Sequence, residues 1–213
     1  GIPDWWAIKH GMKPEGGLEH NADLDGDGYT NLEEYLNGTD PFQIDNEEAE
    51  QAVAQLVQQL VATDYAVRTE AEQKLESLQE AVVPALEKVM RNLNSDTAVV
   101  RGIVARFLAR IKSPTTVPVL LFAVTNDPDS FTRANALGSL AKIGISNPEV
   151  FSVIVEALSD SNEEVRIAAA NALGGFGLAA ADYAIDLLLM SYTSDARVAW
   201  ACRTAAGKVL PGI

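Results

Sequence analysis

Three aspartates at alternate positions, Asp23, Asp25 and Asp27, are followed by Gly28, Asn31 and Glu34. These residues occupy positions 1, 3, 5, 6, 9 and 12 of a twelve-residue loop. A hard cation such as Ca2+ takes about six to eight oxygen ligands, and this spacing wraps carboxylates round one centre. The expected ligands are the three Asp carboxylates, the backbone carbonyl of Tyr29 and both oxygens of Glu34, with Asn31 acting through a water. Gly28 supplies the sharp turn. Left without a cation, the carboxylates repel one another by about 1 kcal/mol per close pair even in water. The competing reading is an acidic turn that holds no ion, and Ca2+ is preferred to it.

Other residues invite chemistry less. His10 and His20 lie near the acidic loop, but no cysteine or further histidine accompanies them, so a zinc site is not expected. Two histidines in a loop-rich segment do not make a Ser–His–Asp set, and no catalytic residue is assigned. Glu163 and Glu164 imitate a carboxylate dyad. They fall in a helix's first turn, where negative charge favours the dipole, and are read as capping residues. Cys202, the single cysteine, excludes an internal disulfide and reads as a small core residue.

Composition narrows the function classes. The formal charge of −14 argues against nucleic-acid binding, which rests on a basic surface. Residues 1–44 hold nine acidic and two basic side chains, half of that excess. With 47% hydrophobic residues among 213, the chain can bury a large core. No apolar run is read as approaching the roughly 18 residues of a membrane span, and the first residues do not read as a signal peptide.

The elements that must carry these residues are helices. Gly1 to Gly11 reads as a short helix with Pro3 in its first turn, residues 12–22 as a loop holding Pro14, Gly16 and Gly17, and Tyr35 and Leu36 as part of a brief helix ended by Gly38. Trp5 and Trp6 are expected to pack on Leu32, Tyr35 or Leu36. Beyond a linker at 42–46, ten helices follow in five pairs: 46–62 with 65–79, 82–93 with 97–111, 115–125 with 129–143, 148–158 with 162–176, and 180–192 with 196–210. Arg68, Arg101, Arg133 and Arg166 recur 33, 32 and 33 residues apart, a spacing typical of helical-pair solenoids. Around them run Asp64, Asp96, Asp127, Asp160 and Asp195 before the second helices. Asp160 or Ser161 is expected to cap its helix, and Gly177 to stop it in the left-handed conformation. The arginine column reads as structural, bonding Asp or carbonyl groups of neighbouring helices.

The D-x-x-x-VR-x-x-A…L…G pattern over about 46–210 resembles HEAT repeats, particularly the bacterial type seen in phycobilisome-lyase relatives. Ala199 replaces Arg in the last unit, as a terminal cap would. Residues Asp23 to Pro41, which fit DxDxDGxxNxxEYxxGTDP, resemble bacterial thrombospondin type 3-like repeats or half a dockerin, and GIPDWW resembles what introduces them. That second resemblance implies calcium binding and a secreted or envelope-bound bacterial protein. With one loop instead of two, cohesin binding is not implied.

The expectation is therefore an all-α protein, with residues 1–44 a calcium-binding unit holding an EF-hand-like loop and residues 45–213 a right-handed α-α solenoid of about five HEAT pairs. Counting from each repeat's Arg, positions +5 and +9 place Arg106, Arg110, Lys142 and Lys208 on the surface second helices present to a partner. This basic stripe in an acidic protein is suited to an acidic peptide or glycan; the plainer reading is solvated helix residues. The function expected is a non-enzymatic, calcium-stabilised protein-interaction scaffold, extracellular or periplasmic in the cell envelope. Alternatives are a regulatory or chaperone-like subunit of a lyase and a spacer module of a larger envelope protein.

Overall fold

The computed structural model describes residues 2–13, 20–44, 47–94, 97–193 and 195–210. Gly1, Pro14, Gly16, Gly17 and Asp96, on which some sequence expectations rest, lie outside these residues. All regular structure among the described residues is helical. The helices are α1 (Asp4–Lys9), α2 (Asn31–Asn37), α3 (Glu47–Gln59), α4 (Tyr65–Ser77), α5 (Val83–Arg91) and α6 (Ala98–Ile111). They continue with α7 (Val117–Asn126), α8 (Ser130–Ile143), α9 (Pro148–Ala157), α10 (Glu163–Phe176), α11 (Ala184–Met190) and α12 (Ala196–Val209). Short 3-10 turns at Gln79–Val82, Pro114–Thr116 and Gly177–Tyr183 lead into first helices of pairs.

The chain packs as two compact units, Gly1–Lys88 and Val89–Ile213. In the first, α1 buries Trp6 and Ala7. The Trp6 ring meets Tyr35 of α2 edge-on at 5.9 Å, and Trp5 meets the same ring at 6.3 Å. Thr30 caps α2 in a full capping box, accepting from the Glu33 N–H while the Glu33 carboxylate accepts from the Thr30 N–H. Helices α3 and α4 pack as a pair, and Leu75, Val82 and Leu86 are sealed from solvent.

In the second unit the second helices form a row, α6 on α8, α8 on α10 and α10 on α12. Small residues permit this approach. A Cβ at Gly102 would lie 2.3 Å from the Phe131 ring, and one at Gly174 would lie 3.1 Å from the Ala205 backbone. Leu108, Leu120, Leu137, Leu140, Ile154, Leu173 and Leu187 fill the space between the rows.

Three sequence expectations need correction. The cap of α10 is Asn162, accepting from the Glu164 and Val165 N–H groups, and not Asp160 or Ser161. Likewise Asp129, not Asp127, caps α8. Both displaced aspartates face the preceding repeat, where an arginine competes for them. Gly177 ends α10 at φ 56° and ψ −133°, outside the left-handed helical basin, and leads directly into a 3-10 turn. Thirdly, the run Glu163–Met190 is long and apolar enough to cross a membrane by length and composition, contrary to the expectation that none is. Here it is broken at Gly177 and Ala180 into α10, a 3-10 turn and α11, and α10 buries its apolar face against α8 and α12.

Candidate metal centre and arginine ladder

The loop from Asp23 folds back on its own backbone. Asp23 Oδ1 accepts from the Gly26 N–H at 2.8 Å and Asp23 Oδ2 from the Gly28 N–H at 3.0 Å. Asp25 Oδ1 accepts from the Asp27 N–H at 3.1 Å, and Asp27 Oδ1 from the Tyr29 N–H at 2.8 Å. Gly28 has φ 96°, a conformation side chains rarely adopt, so a glycine is required at loop position 6. The outcome is that oxygens of Asp23, Asp25 and Asp27 lie within 4.8 Å of one another.

Burial makes this costly for bare carboxylates. Asp25 and Asp27 are 2% and 5% exposed, and Glu34 is sealed from solvent. Asp25 Oδ2 is buried with no hydrogen-bond partner among the described residues. Burial, with added repulsion from Asp27 and Asp23, pushes the Asp25 carboxyl up to about 7, against the opposing Asp27 N–H bond. An all-oxygen donor set with one orphaned buried oxygen is the arrangement a hard cation relieves. The residues present therefore fit Ca2+. Glu34 stands outside the tight group formed by the three aspartates. Asn31, expected to act through a water, is 2% exposed at the first turn of α2. The Tyr29 carbonyl is carried on the same loop. Neither histidine joins the group: the His10 ring lies tilted against Trp6 at 4.6 Å and brings Nδ1 to 3.3 Å from Asp40.

The arginine column forms a ladder between repeats. Arg101 donates from Nε and Nη2 to Asp127 at 2.7 and 2.9 Å, and Arg133 meets Asp160 in the same fork at 2.8 Å twice. Arg166 continues with one bond of 3.0 Å to Asp195. Each Nη1 ties down carbonyls preceding its own helix: Asn92 and Asn94 for Arg101, Asp127 and Pro128 for Arg133, Asp160 and Ser161 for Arg166. Arg68 does the same with Ala62 and Thr63. Exposure rises along the ladder, from 0% at Arg101 to 12% at Arg133 and 21% at Arg166. Burial alone would raise the Asp160 carboxyl, but hydrogen bonds from Arg133 and the Asn162 N–H outweigh it and hold it below the ordinary value.

The family model for HEAT repeats matches residues 53–141 and 121–210, which together span most of the chain. The chain belongs to the HEAT-repeat family. The ladder is thus the staple between successive HEAT units of this chain. No curated protein matches the sequence. Among solved structures, the crystal structure of an engineered protein, a target of the Northeast Structural Genomics Consortium, is 25% identical. That likeness covers 74% of this chain and 79% of that one, at a TM-score of 0.47.

The remaining sequence candidates fall on the HEAT helices. Arg106, Arg110, Lys142 and Lys208 are all exposed, on α6, α8 and α12. Arg110, Lys142 and Lys208 share one register, which α10 occupies with Gly175, so the row is interrupted there. Glu163 and Glu164 sit in the first turn of α10 and pair with Arg197 at 2.9 and 2.8 Å. Cys202 is fully buried, and burial pushes its thiol up, away from reactivity. The sequence reading has the arginines bonding Asp or carbonyl groups of neighbouring helices, as they do, but does not name Asp127 and Asp160 as the acceptors; their offset of two residues before the caps Asp129 and Asn162 is the available signal.

Proposed function

We propose that this HEAT-repeat chain is a non-enzymatic interaction scaffold whose N-terminal loop binds Ca2+ as a structural ion. The observation that carries the reading is Asp25: a buried carboxylate with one oxygen lacking a hydrogen-bond donor among the described residues, set between two further carboxylates. Asp23, Asp25, Asp27 and Glu34 supply the charge, with the Tyr29 carbonyl between them, and bound Ca2+ supplies charge neutralisation that the protein's own donors do not. A site of this kind fills where calcium is plentiful, which accords with an extracellular or envelope location. Arg106, Arg110, Lys142 and Lys208 are the proposed face for an acidic peptide or glycan, since they are exposed cations in a chain of charge −14.

The test is calorimetric titration of Ca2+ into chelator-treated protein, with tryptophan emission followed in parallel. Trp5 and Trp6 touch Tyr35 on the helix that carries Glu34, so the emission is expected to change with saturation. Binding should stabilise the folded unit by about 2.7 kcal/mol at a hundredfold excess over the dissociation constant. Absence of both heat and emission change overturns the assignment.

A further inference from the structure

The last helical pair differs from the one before it in what it shows to solvent. On α9 and the turn after it, Ser152, Glu156 and Ser159 are exposed. Thirty-three residues on, the equivalent positions are Ile185, Leu189 and Tyr192, exposed to 68%, 67% and 87%. They recur at helical spacing, with Ile185 and Leu189 on α11 opposite the buried Ala184 and Leu187 and Tyr192 in the turn that follows, so they form one stripe along α11 and its C-terminal turn. Leu188 flanks the stripe at 38%, and Leu178 lies on the preceding 3-10 turn at 69%.

The size of this surface matters. At on the order of 150 Å2 for each large side chain, the lower end of the aromatic range, the five expose about 500 Å2, towards the upper end of what a monomer leaves open. A standard interface takes about 800 Å2 from each partner, somewhat over half of it apolar. One such interface would cover the stripe.

The charges at its two ends indicate what covers it. Asp182 and Asp186 stand at the N-terminal end of α11. Arg203, exposed on α12, donates to the Ser191 carbonyl at 3.1 Å and so marks the C-terminal end. Acid at one end and base at the other make the stripe complementary to itself when turned end for end. We propose that this face is a homodimer interface, in which α11 packs antiparallel on α11 of a second copy about a two-fold axis. Ile185 then meets Tyr192 of the second copy, Leu189 and Leu188 lie near the axis, and Asp182 and Asp186 face Arg203 of the second copy. An isologous contact of this kind uses one patch twice and closes at two copies.

Sedimentation equilibrium on the full chain tests this. The wild type is expected to be a dimer with a dissociation constant of micromolar order or tighter. Leu189→Asp combined with Tyr192→Asp should give a monomer with unchanged far-UV circular dichroism. Arg203→Glu alone should weaken association at least about tenfold, or 1.4 kcal/mol, and adding Asp182→Lys and Asp186→Lys should restore it. A monomeric wild type at about 100 µM, a hundredfold above a micromolar constant, overturns the proposal, whether or not the chain then binds lipid vesicles. So does a dimer that survives the Leu189/Tyr192 variant, or one that the charge exchange fails to restore.

Discussion

Removing Arg101 should cost far more stability than removing the chemically equivalent Arg166, because the two pairs differ in burial. Arg101 and Asp127 are both fully buried side chains joined by bonds of 2.7 and 2.9 Å. With Arg101→Ala, the Asp127 carboxylate keeps, among the described residues, only the Asp129 N–H at 2.9 Å. The Asn92 and Asn94 carbonyls still accept from Thr97 Oγ1, at 3.1 and 2.9 Å, so the loss concentrates on the stranded charge. Breaking a buried pair in this way costs about 3–5 kcal/mol. For a chain of this size each kcal/mol lowers Tm by about 2–4 °C, which places the fall on the order of 6–20 °C. Arg166→Ala, at a pair left about one-fifth exposed, should cost about 1 kcal/mol, with Arg133→Ala between them. Adding Asp127→Asn to Arg101→Ala removes the stranded charge and should recover part of the loss. Urea unfolding followed by circular dichroism measures all four variants. Equal costs for Arg101→Ala and Arg166→Ala, or a double variant less stable than Arg101→Ala, would refute the reasoning.

Acid should loosen the ladder in a defined window. The Asp160 pKa is lowered in the folded chain, so its contribution is fully present above the ordinary value of 3.8 and is lost as pH falls through the folded value. Stability measured between pH 6 and pH 2, values spanning that window, should therefore fall less steeply for Asp160→Asn than for wild type. Glu34→Ala should weaken Ca2+ binding more than Asn31→Ala, because it removes a charge expected to ligate with both oxygens rather than through water; isothermal titration gives the order. Gly174→Val should destabilise by about 1–3 kcal/mol, since even its Cβ meets the Ala205 backbone at 3.1 Å. Thermal melts check this, and a stabilised variant would show that α10 and α12 separate freely. If the basic stripe binds a polyanion such as heparin, binding should weaken steeply with salt, because exposed charges are screened over about 8 Å at physiological ionic strength. Reversing Arg106 and Lys142 to Glu should abolish binding without loss of helix.

The sequence by itself determined the helices, because their periodicity and punctuation are local properties. Asn147 and Asp195 cap the helices they precede, and Gly38 ends α2 in the left-handed conformation. The recurrence of Arg every 32 or 33 residues revealed the repeat, and the Asp-x-Asp-x-Asp-Gly spacing located the acidic loop. Tertiary structure decided which partner each polar group took. Asp127 and Asp160 had two competing uses, a cap on their own helix or a fork with the previous repeat's arginine. The choice depends on where α6 and α8 lie, which sequence spacing does not contain. Burial was equally illegible: Arg101, Arg133 and Arg166 occupy the same register, yet only packing grades them from sealed to one-fifth exposed. The raised carboxyl of Asp25 has the same origin, since burial is the largest cause of its shift. The apolar run from Glu163 to Met190 passes for a span by composition, and only the tertiary structure breaks it at Gly177 and packs its α10 part against α8 and α12. Local propensity writes the elements, but burial and pairing are properties of neighbours, and neighbours exist only once the chain has folded.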